Sequence, residues 1–403
     1  MKNLIKIVIF LLLLTTGGSA SAENLFKTLL GKTDAEVKNK LEIVWKHFFT
    51  PGDLELYEAN DQKSLYYETS EDLAFIMDTG NNDVRTEGMS YGMIICVQLN
   101  HRTEFDKLWG WSKRYMAYPD HSIWNGYFCW QCQTNGEHMG HSNASDGEIY
   151  YATALFMAAK RWNEPRYARE ADQLLHKVMN KEGKQTGVYN LFNSTTHLVT
   201  FVPDRNGKDF TDPSYQLPAF LDYWAEVATE NKVFWKKAAE AARDHLIASS
   251  HPVTGLYPDY SHYDGRAFRW NHSVYDTSMY MYDAIRCAMN VGMDYYLYGK
   301  DKARQTETMT RLLKFFQKDD FRHGNFTLDG KIARGNYTRG MDGANAVAAF
   351  ALADSTPEAR ELAKTFVQRL WDAEPPTGKF RYYEGMVYFL SLLHVSGEFK
   401  LLK

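Results

Sequence analysis

Apolar residues recur every three to four positions along most of this chain, the repeat of a helix that buries one face. The repeat predicts helices at roughly Asp34–Phe49, Gly88–Asn100, Glu104–Met116, Glu148–Trp162, Pro165–Asn180, Tyr215–Thr229, Val233–Ser249, Ser278–Tyr296, Lys302–Lys318, Ala344–Leu352, Pro357–Trp371 and Glu384–Leu393. Thr33-Asp34, Asp301 and Ser355-Thr356-Pro357 supply start signals. Few segments alternate apolar and polar residues as a half-buried strand does. The expected fold class is therefore all-α, with about twelve helices.

The connections are uneven. Asn100–Thr103 and Asn163–Glu164 are short, whereas Ala117–Asp146, Glu182–Asp212, Ser250–Thr277 and Phe321–Gly343 are long and rich in glycine and aromatics. Long loops in a compact domain are usually functional. Short and long connections in alternation suggest six helical hairpins closed into an (α/α)6 barrel, with the long loops forming a cleft at one end. An open helical solenoid would carry a fixed sequence period, and none is evident here.

The first residues read as a secretory signal. Lys2 and Lys6 are the positive start, Ile7 to Leu14 an apolar run too short to span a bilayer, and Ala20-Ser21-Ala22 a small-residue cleavage site. Residues 1–22 are thus expected to be removed, leaving one domain of residues 23–403 that is secreted or periplasmic. No later stretch is apolar enough to cross a membrane, so no membrane partner is expected. The net charge of −4 gives no electrostatic case for nucleic acid. A monomer is expected. Aromatics make up 15% of the chain, with 26 Tyr and 10 Trp, many in polar surroundings. Rings bordered by polar groups suit the faces of sugars, which present C–H patches ringed by hydroxyls.

Of the four cysteines, Cys96 and Cys287 sit in apolar runs and read as core thiols. Cys129-Trp130-Gln131-Cys132, with His138 and His141 nearby, reads as a metal site, a strained small-ring disulfide, or neither. The spacing matches no standard zinc pattern, so no metal is expected.

Glu87 is the most informative residue. In Arg85-Thr86-Glu87-Gly88-Met89-Ser90-Tyr91-Gly92-Met93 a carboxyl stands where a polar stretch turns apolar, with glycines leaving space beside it. Burial disfavours the charged form, which is how a general acid is made. The same residue also reads as an ordinary first-turn glutamate stabilised by the positive helix end. Ala144-Ser145-Asp146-Gly147-Glu148 opens another helix, with Ser145 or Asp146 as its cap. Capping explains Ser145 and Glu148, and explains Asp146 only if its side chain faces its own helix.

Asp276, Asp283, Arg286, Asn290 and Asp294 are spaced by 7, 3, 4 and 4. They draw one polar line along an otherwise apolar helix. That line either faces a wet cleft or forms a satisfied buried network. Arg286, one turn after Asp283, favours an ionised Asp283. A protonated Glu87 and a charged Asp283 would make the split carboxyl pair of glycoside hydrolysis. Trp124, Tyr127, Phe128 and Trp130 crowd one long loop and point to binding. Asp212-Pro213-Ser214-Tyr215 starts a helix, and Tyr215 either stacks on a sugar or packs over that helix. Arg381-Tyr382-Tyr383-Glu384-Gly385 repeats the Glu-Gly pair of Glu87-Gly88.

Together these segments resemble glycoside hydrolase family 8. The stretch around Glu87 resembles the family's general-acid segment, and Ala144 to Glu148 resembles its A-[ST]-D-[AG]-D signature, with Glu148 in place of the second Asp. Asp212-Pro213-Ser214-Tyr215 and Tyr282-Asp283-Ala284-x-Arg286 resemble further family blocks, in the same order. Glu87-Gly-Met-Ser-Tyr-Gly-Met, Asp146-Gly-Glu-Ile-Tyr-Tyr and Tyr127-Phe128-x-Trp130 resemble the family's reducing-end xylose-releasing exo-oligoxylanases. The resemblance implies an (α/α)6 barrel and inverting hydrolysis of β-1,4-linked glycans, here xylo-oligosaccharides, without metal or cofactor. It implies Glu87 as general acid, Asp283 as general base and Asp146 as the residue that binds the distorted sugar. Trp124, Trp130, Tyr215, Arg286, Arg339 and Tyr383 are the expected substrate contacts. Exo action needs a wall across the cleft, for which Phe321–Gly343, with His323, Arg334 and Arg339, is the candidate. An endo-acting xylanase or glucanase and a non-catalytic glycan-binding protein are the alternatives.

Overall fold

The structure, a computed structural model, describes residues 23–403, so the predicted signal segment lies outside the described residues. In chain order the helices are α1 (Leu25–Leu30), α2 (Asp34–Phe49), α3 (Thr86–Leu99), α4 (Arg102–Trp111), α5 (Ser145–Arg161), α6 (Pro165–Met179), α7 (Pro218–Val227), α8 (Lys232–Ala248), α9 (Arg286–Leu297), α10 (Lys302–Lys318), α11 (Arg339–Ala348), α12 (Phe350–Ala353), α13 (Pro357–Asp372) and α14 (Tyr382–Val395). α3, α5, α7, α9, α11 and α14 form an inner ring that closes on itself, α14 packing back on α3. α2, α4, α6, α8, α10 and α13 lie outside it. This is the expected (α/α)6 barrel.

Sequence decides which ring a helix joins. α6 buries only Tyr167, Ala171, Leu174, Leu175 and Val178, one stripe at helical spacing, and Pro165 sits at its first position. α3 is buried on nearly every side from Gly88 to Gln98, as a helix between two layers must be. Inner-to-outer turns are tight. Asn100, Asn163, Asn231 and Gly299 take left-handed backbone there (φ 65°, 50°, 58° and 60°), a conformation Asn and Gly adopt readily.

Most outer-to-inner connections are long, and all enter the N-terminal ends of the inner helices. Residues 117–144, 180–217, 249–285 and 319–338 therefore collect at one end of the barrel. Four of these are the long loops predicted from sequence.

The structure corrects three expectations. The helix placed at Ser278 starts only at Arg286, after a 3-10 turn at Tyr282–Ile285. Asp276 lies in the preceding loop, where it accepts from Ser278, so the five-residue polar line is broken. The helix placed at Tyr215 starts at Pro218, and Pro213–Tyr215 is a 3-10 turn capped by Asp212, whose carboxylate accepts from Ser214 N. An antiparallel sheet also forms from β1 (Tyr66–Ser70), β2 (Leu73–Asp78), β3 (Asp83–Arg85) and β4 (Gln131–Cys132). Its strands left little trace in the pattern because β3 and β4 are very short and β2 is buried on both faces. A hairpin of β5 (His323–Phe326) and β6 (Ile332–Asn336) completes the strands among the described residues.

Candidate active site

A cleft of about 770 Å³ opens at the loop end of the barrel. Its floor is made by the first turns of the inner helices. Glu87 is the second residue of α3 and Asp146 the second of α5, while Asp283 sits in the 3-10 turn that leads into α9. Ala144, not Ser145 or Asp146, takes the cap position of α5, which frees the Asp146 side chain to leave its own helix.

Arg286 ties the three carboxyls together. Its Nη1 lies 2.7 Å from Asp146 Oδ2 and 3.5 Å from Glu87 Oε2, and its Nη2 lies 3.0 Å from Asp283 Oδ2. The guanidinium is buried and also donates to the Tyr91 hydroxyl. One planar guanidinium cannot hold Glu87 and Asp283 oxygens further apart than about 9 Å, which is compatible with a gap that admits water. Asp146 lines the cleft, and its Oδ1 is buried without a hydrogen-bond partner.

Burial pushes the Glu87 carboxyl up to about 8. Arg286 opposes that shift, Asp283 and Asp146 add to it, and Arg85 opposes it. The positive end of α3 also favours the charged form, and burial overrides it. Burial raises Asp146 too, against Arg286. Asp212 and Asp259, both buried, are held well above the usual carboxylate range by burial and by the charge of Asp283. Several carboxyls around one cation cannot all ionise, so the cluster retains protons. Asp259 also holds the backbone at Asp283, its Oδ1 accepting the Asp283 N–H at 3.1 Å.

The walls are aromatic: Trp130, Tyr215, Trp270, Tyr275, Phe380 and Tyr383 line the cleft. Arg85 stands at one side, bound to Asp78 and Asp83 at 3.0 Å each, its guanidinium 5.5 Å from the Trp130 ring centre. Tyr382, which sequence reasoning passed over beside Tyr383, donates its hydroxyl to Glu87 Oε1 at 3.0 Å. Gly88 allows that approach, because a Cβ there would meet the Tyr382 ring at 2.6 Å. Trp270, Tyr275, Asp259 and Phe380 were also missed. The only signal for them was their place on long or aromatic-rich segments.

Several predicted residues stand elsewhere. Trp124 packs on Tyr118 and Tyr127 and does not line the cleft. Tyr127 and Phe128 are core residues. Arg339 is half-exposed, pairs with Asp342 at 3.1 Å and is also outside the cleft lining. Glu384 accepts the Gly340 N–H and joins α14 to α11. Glu148 is buried, accepts from Phe128 N at 3.0 Å and Asn143 Nδ2 at 2.9 Å, and so pins the long loop to α5. Asp294 bonds Arg243 away from the site. No residue of the segment Phe321–Gly343 is among those lining this cleft. Its β5 pairs through Phe326 with Tyr280, three residues before Asp283. Cys129, Cys132 and His138 do come together, and His141 stays outside that group.

No helix among the described residues is long and apolar enough to cross a membrane. Residues 60–396 match the family described as Glycosyl hydrolases family 8. The chain is 35% identical over 390 residues to the reducing end xylose-releasing exo-oligoxylanase of Halalkalibacterium halodurans, covering 94% of each chain. It is 34% identical over 386 residues to the reducing-end xylose-releasing exo-oligoxylanase Rex8A of Paenibacillus barcinonensis, covering 94% of this chain and 96% of that one. The structure of Rex8A complexed with xylose superposes with a TM-score of 0.86 over 95% of this chain and 98% of that one. Endoglucanase A of Acetivibrio thermocellus is more distant, 27% identical over 334 residues, covering 79% of this chain and 63% of that one. The cluster of carboxyls at the mouth of an (α/α)6 barrel is thus the floor of a glycoside hydrolase cleft, and the chain belongs to glycosyl hydrolases family 8.

Proposed function

We propose that this enzyme hydrolyses β-1,4-linked xylo-oligosaccharides with inversion and releases xylose from their reducing end. The observation that carries the chemistry is the Arg286 guanidinium, which gathers Glu87, Asp146 and Asp283 on one cleft floor while Glu87 keeps its proton to about 8. Glu87, protonated at neutral pH, gives its proton to the glycosidic oxygen as the bond to the leaving sugar breaks. Asp283 takes a proton from a water that attacks the anomeric carbon from the opposite face. Asp146, a cleft-lining residue held by Arg286 beside Glu87, binds a hydroxyl of the sugar at the scissile bond. Trp130 and Tyr383 give it apolar faces to lie against.

The substrate class rests on the relatives that share about a third of the sequence along nearly the whole chain. A secreted or periplasmic monomer fits the signal-like residues 1–22 and small soluble glycans. The rival reading is an endo-acting β-1,4-glycanase, supported by the more distant endoglucanase relatives. Xylotriose and its borohydride-reduced form separate the two. Release of xylose from the unreduced sugar alone is expected. Cleavage of both, with a rapid fall in the viscosity of polymeric xylan, would favour the endo reading.

A further inference from the structure

Cys129 and Cys132 take no part in the chemistry above, yet they flank Trp130 in the cleft wall. Both are buried free thiols. Cys132 ends β4, and the chain then reverses in a tight turn, with Gln133 N–H donating to Glu137 O at 2.8 Å and Gly136 at a φ of 91°. A side chain is disfavoured there, and a Cβ would also strike the Tyr115 ring at 2.2 Å. The reversal brings His138 into a bridge with Cys132. One ligand atom from each of Cys129, Cys132 and His138 then lies within 4.8 Å of the others.

That spacing is close to the donor set of one tetrahedral ion. Bonds of about 2.3 Å to sulfur and about 2.0 Å to nitrogen place neighbouring donors roughly 3.5–3.8 Å apart, inside the 4.8 Å limit within which these three atoms lie. The His138 Nε2 lies 2.7 Å from the Tyr115 carbonyl. A hydrogen bond of this kind to a backbone carbonyl is what orients a ligating histidine. The two sulfurs face carbonyls as well, Cys129 Sγ being 3.1 Å from Gln131 O and Cys132 Sγ 3.8 Å from Tyr115 O. His138 is exposed, which gives an ion a way in and leaves one side of the site to water.

We propose that Cys129, Cys132 and His138 bind one thiophilic divalent cation of the zinc class, with water as the fourth ligand. Two thiolates and an imidazole select such an ion over magnesium or calcium, which take oxygen donors. Binding releases the two thiol protons to solvent, so it strengthens as pH rises. The Trp130 carbonyl accepts the Thr86 N–H at 3.0 Å, one residue before Glu87. The ion thus clamps the loop that carries a cleft-lining ring and the start of α3.

The test uses the full mature chain, reduced with a phosphine, stripped with a chelator and titrated with Co(II) under anaerobic conditions. One equivalent of Co(II) is expected, with thiolate-to-cobalt charge transfer in the near ultraviolet, intense tetrahedral d–d bands, and displacement of both by Zn(II). Cys129→Ser and Cys132→Ser should each remove the charge-transfer band. His138→Gln, at an exposed position that leaves the core untouched, should weaken Co(II) binding by about tenfold or more without altering the circular dichroism. Absence of charge transfer at excess Co(II) would overturn the proposal, as would a Cys129→Ser protein that binds like the parent or a disulfide that re-forms and excludes the ion under these conditions.

Discussion

The Tyr382 hydroxyl lies 3.0 Å from Glu87 Oε1, and Glu87 Oε2 lies 3.5 Å from Arg286 Nη1. Both neighbours are donors and both favour the ionised carboxylate, yet burial and the adjacent acids hold the proton on it to about 8. Removing the tyrosine donor should therefore raise Glu87 further. In Tyr382→Phe the alkaline limb of kcat/KM is expected to move to higher pH than in the parent. A pH profile on xylotriose checks this. An unmoved limb would show that Tyr382 does not act on Glu87, and a limb that moves down would contradict its role as a donor to the carboxylate.

Replacing the acid itself should remove that limb. Glu87→Gln is expected to lower kcat roughly 10²–10⁴-fold with little change in KM. Initial rates from pH 5 to 9 give both quantities. Unchanged turnover would mean that another group donates the proton.

The same proton leaves a mark on stability. The folded Glu87 titrates near 8 against an ordinary 4.5, so folding takes up a proton between those values. Its contribution is fully present at low pH and falls by about 1.4 kcal/mol per pH unit as pH rises towards 8. Glu87→Gln lacks this loss. The variant should match the parent in urea unfolding at pH 5 and exceed it by about 2 kcal/mol or more at pH 8. An equal difference at both pH values would contradict the buried acid.

Trp130 and Trp124 lie on one loop but only Trp130 lines the cleft. Trp130→Ala should lower kcat/KM on xylotriose about tenfold. Trp124→Ala should cost stability and leave kcat/KM within about twofold. Equal kinetic effects would argue against this division.

Helix positions were largely legible. α2 and α10 match the apolar repeat to the residue, because both lie outside the ring and show it one stripe. The segment before α9 was not legible. Met279, Tyr280 and Met281 continue a helical repeat, but Tyr280 pairs as an extended residue with Phe326, a distant partner. The pairing of Asp283 with Arg286 was still legible, since Arg286 lies three residues on whichever way Asp276 points. Trp124 was misplaced because a ring packed edge-on against Tyr127 and a ring facing a sugar have the same local sequence. Tyr382 was missed because its partner, Glu87, is 295 residues away in the chain. Asp294 belongs to a different buried network, in which Arg243 Nε lies 2.7 Å from its Oδ2 and Arg243 also bonds Asp222.

That network gives a structural control. Arg243→Met would leave Asp222 and Asp294 buried with fewer partners, and should destabilise the fold by about 3–5 kcal/mol. Denaturant unfolding measures the loss. A cost below about 1 kcal/mol would mean that the buried ion pair is dispensable.

In the proposed mechanism Glu87 protonates the leaving oxygen while Asp283 drives water in from the other side of the sugar. Proton NMR of the first turnovers on a β-1,4-xylo-oligosaccharide tests it directly, because the newly freed anomeric centre reports its configuration before mutarotation. The α-anomer is expected to appear first and to equilibrate afterwards. A β-anomer appearing first would mean net retention and would rule out Asp283 as the base of a single displacement.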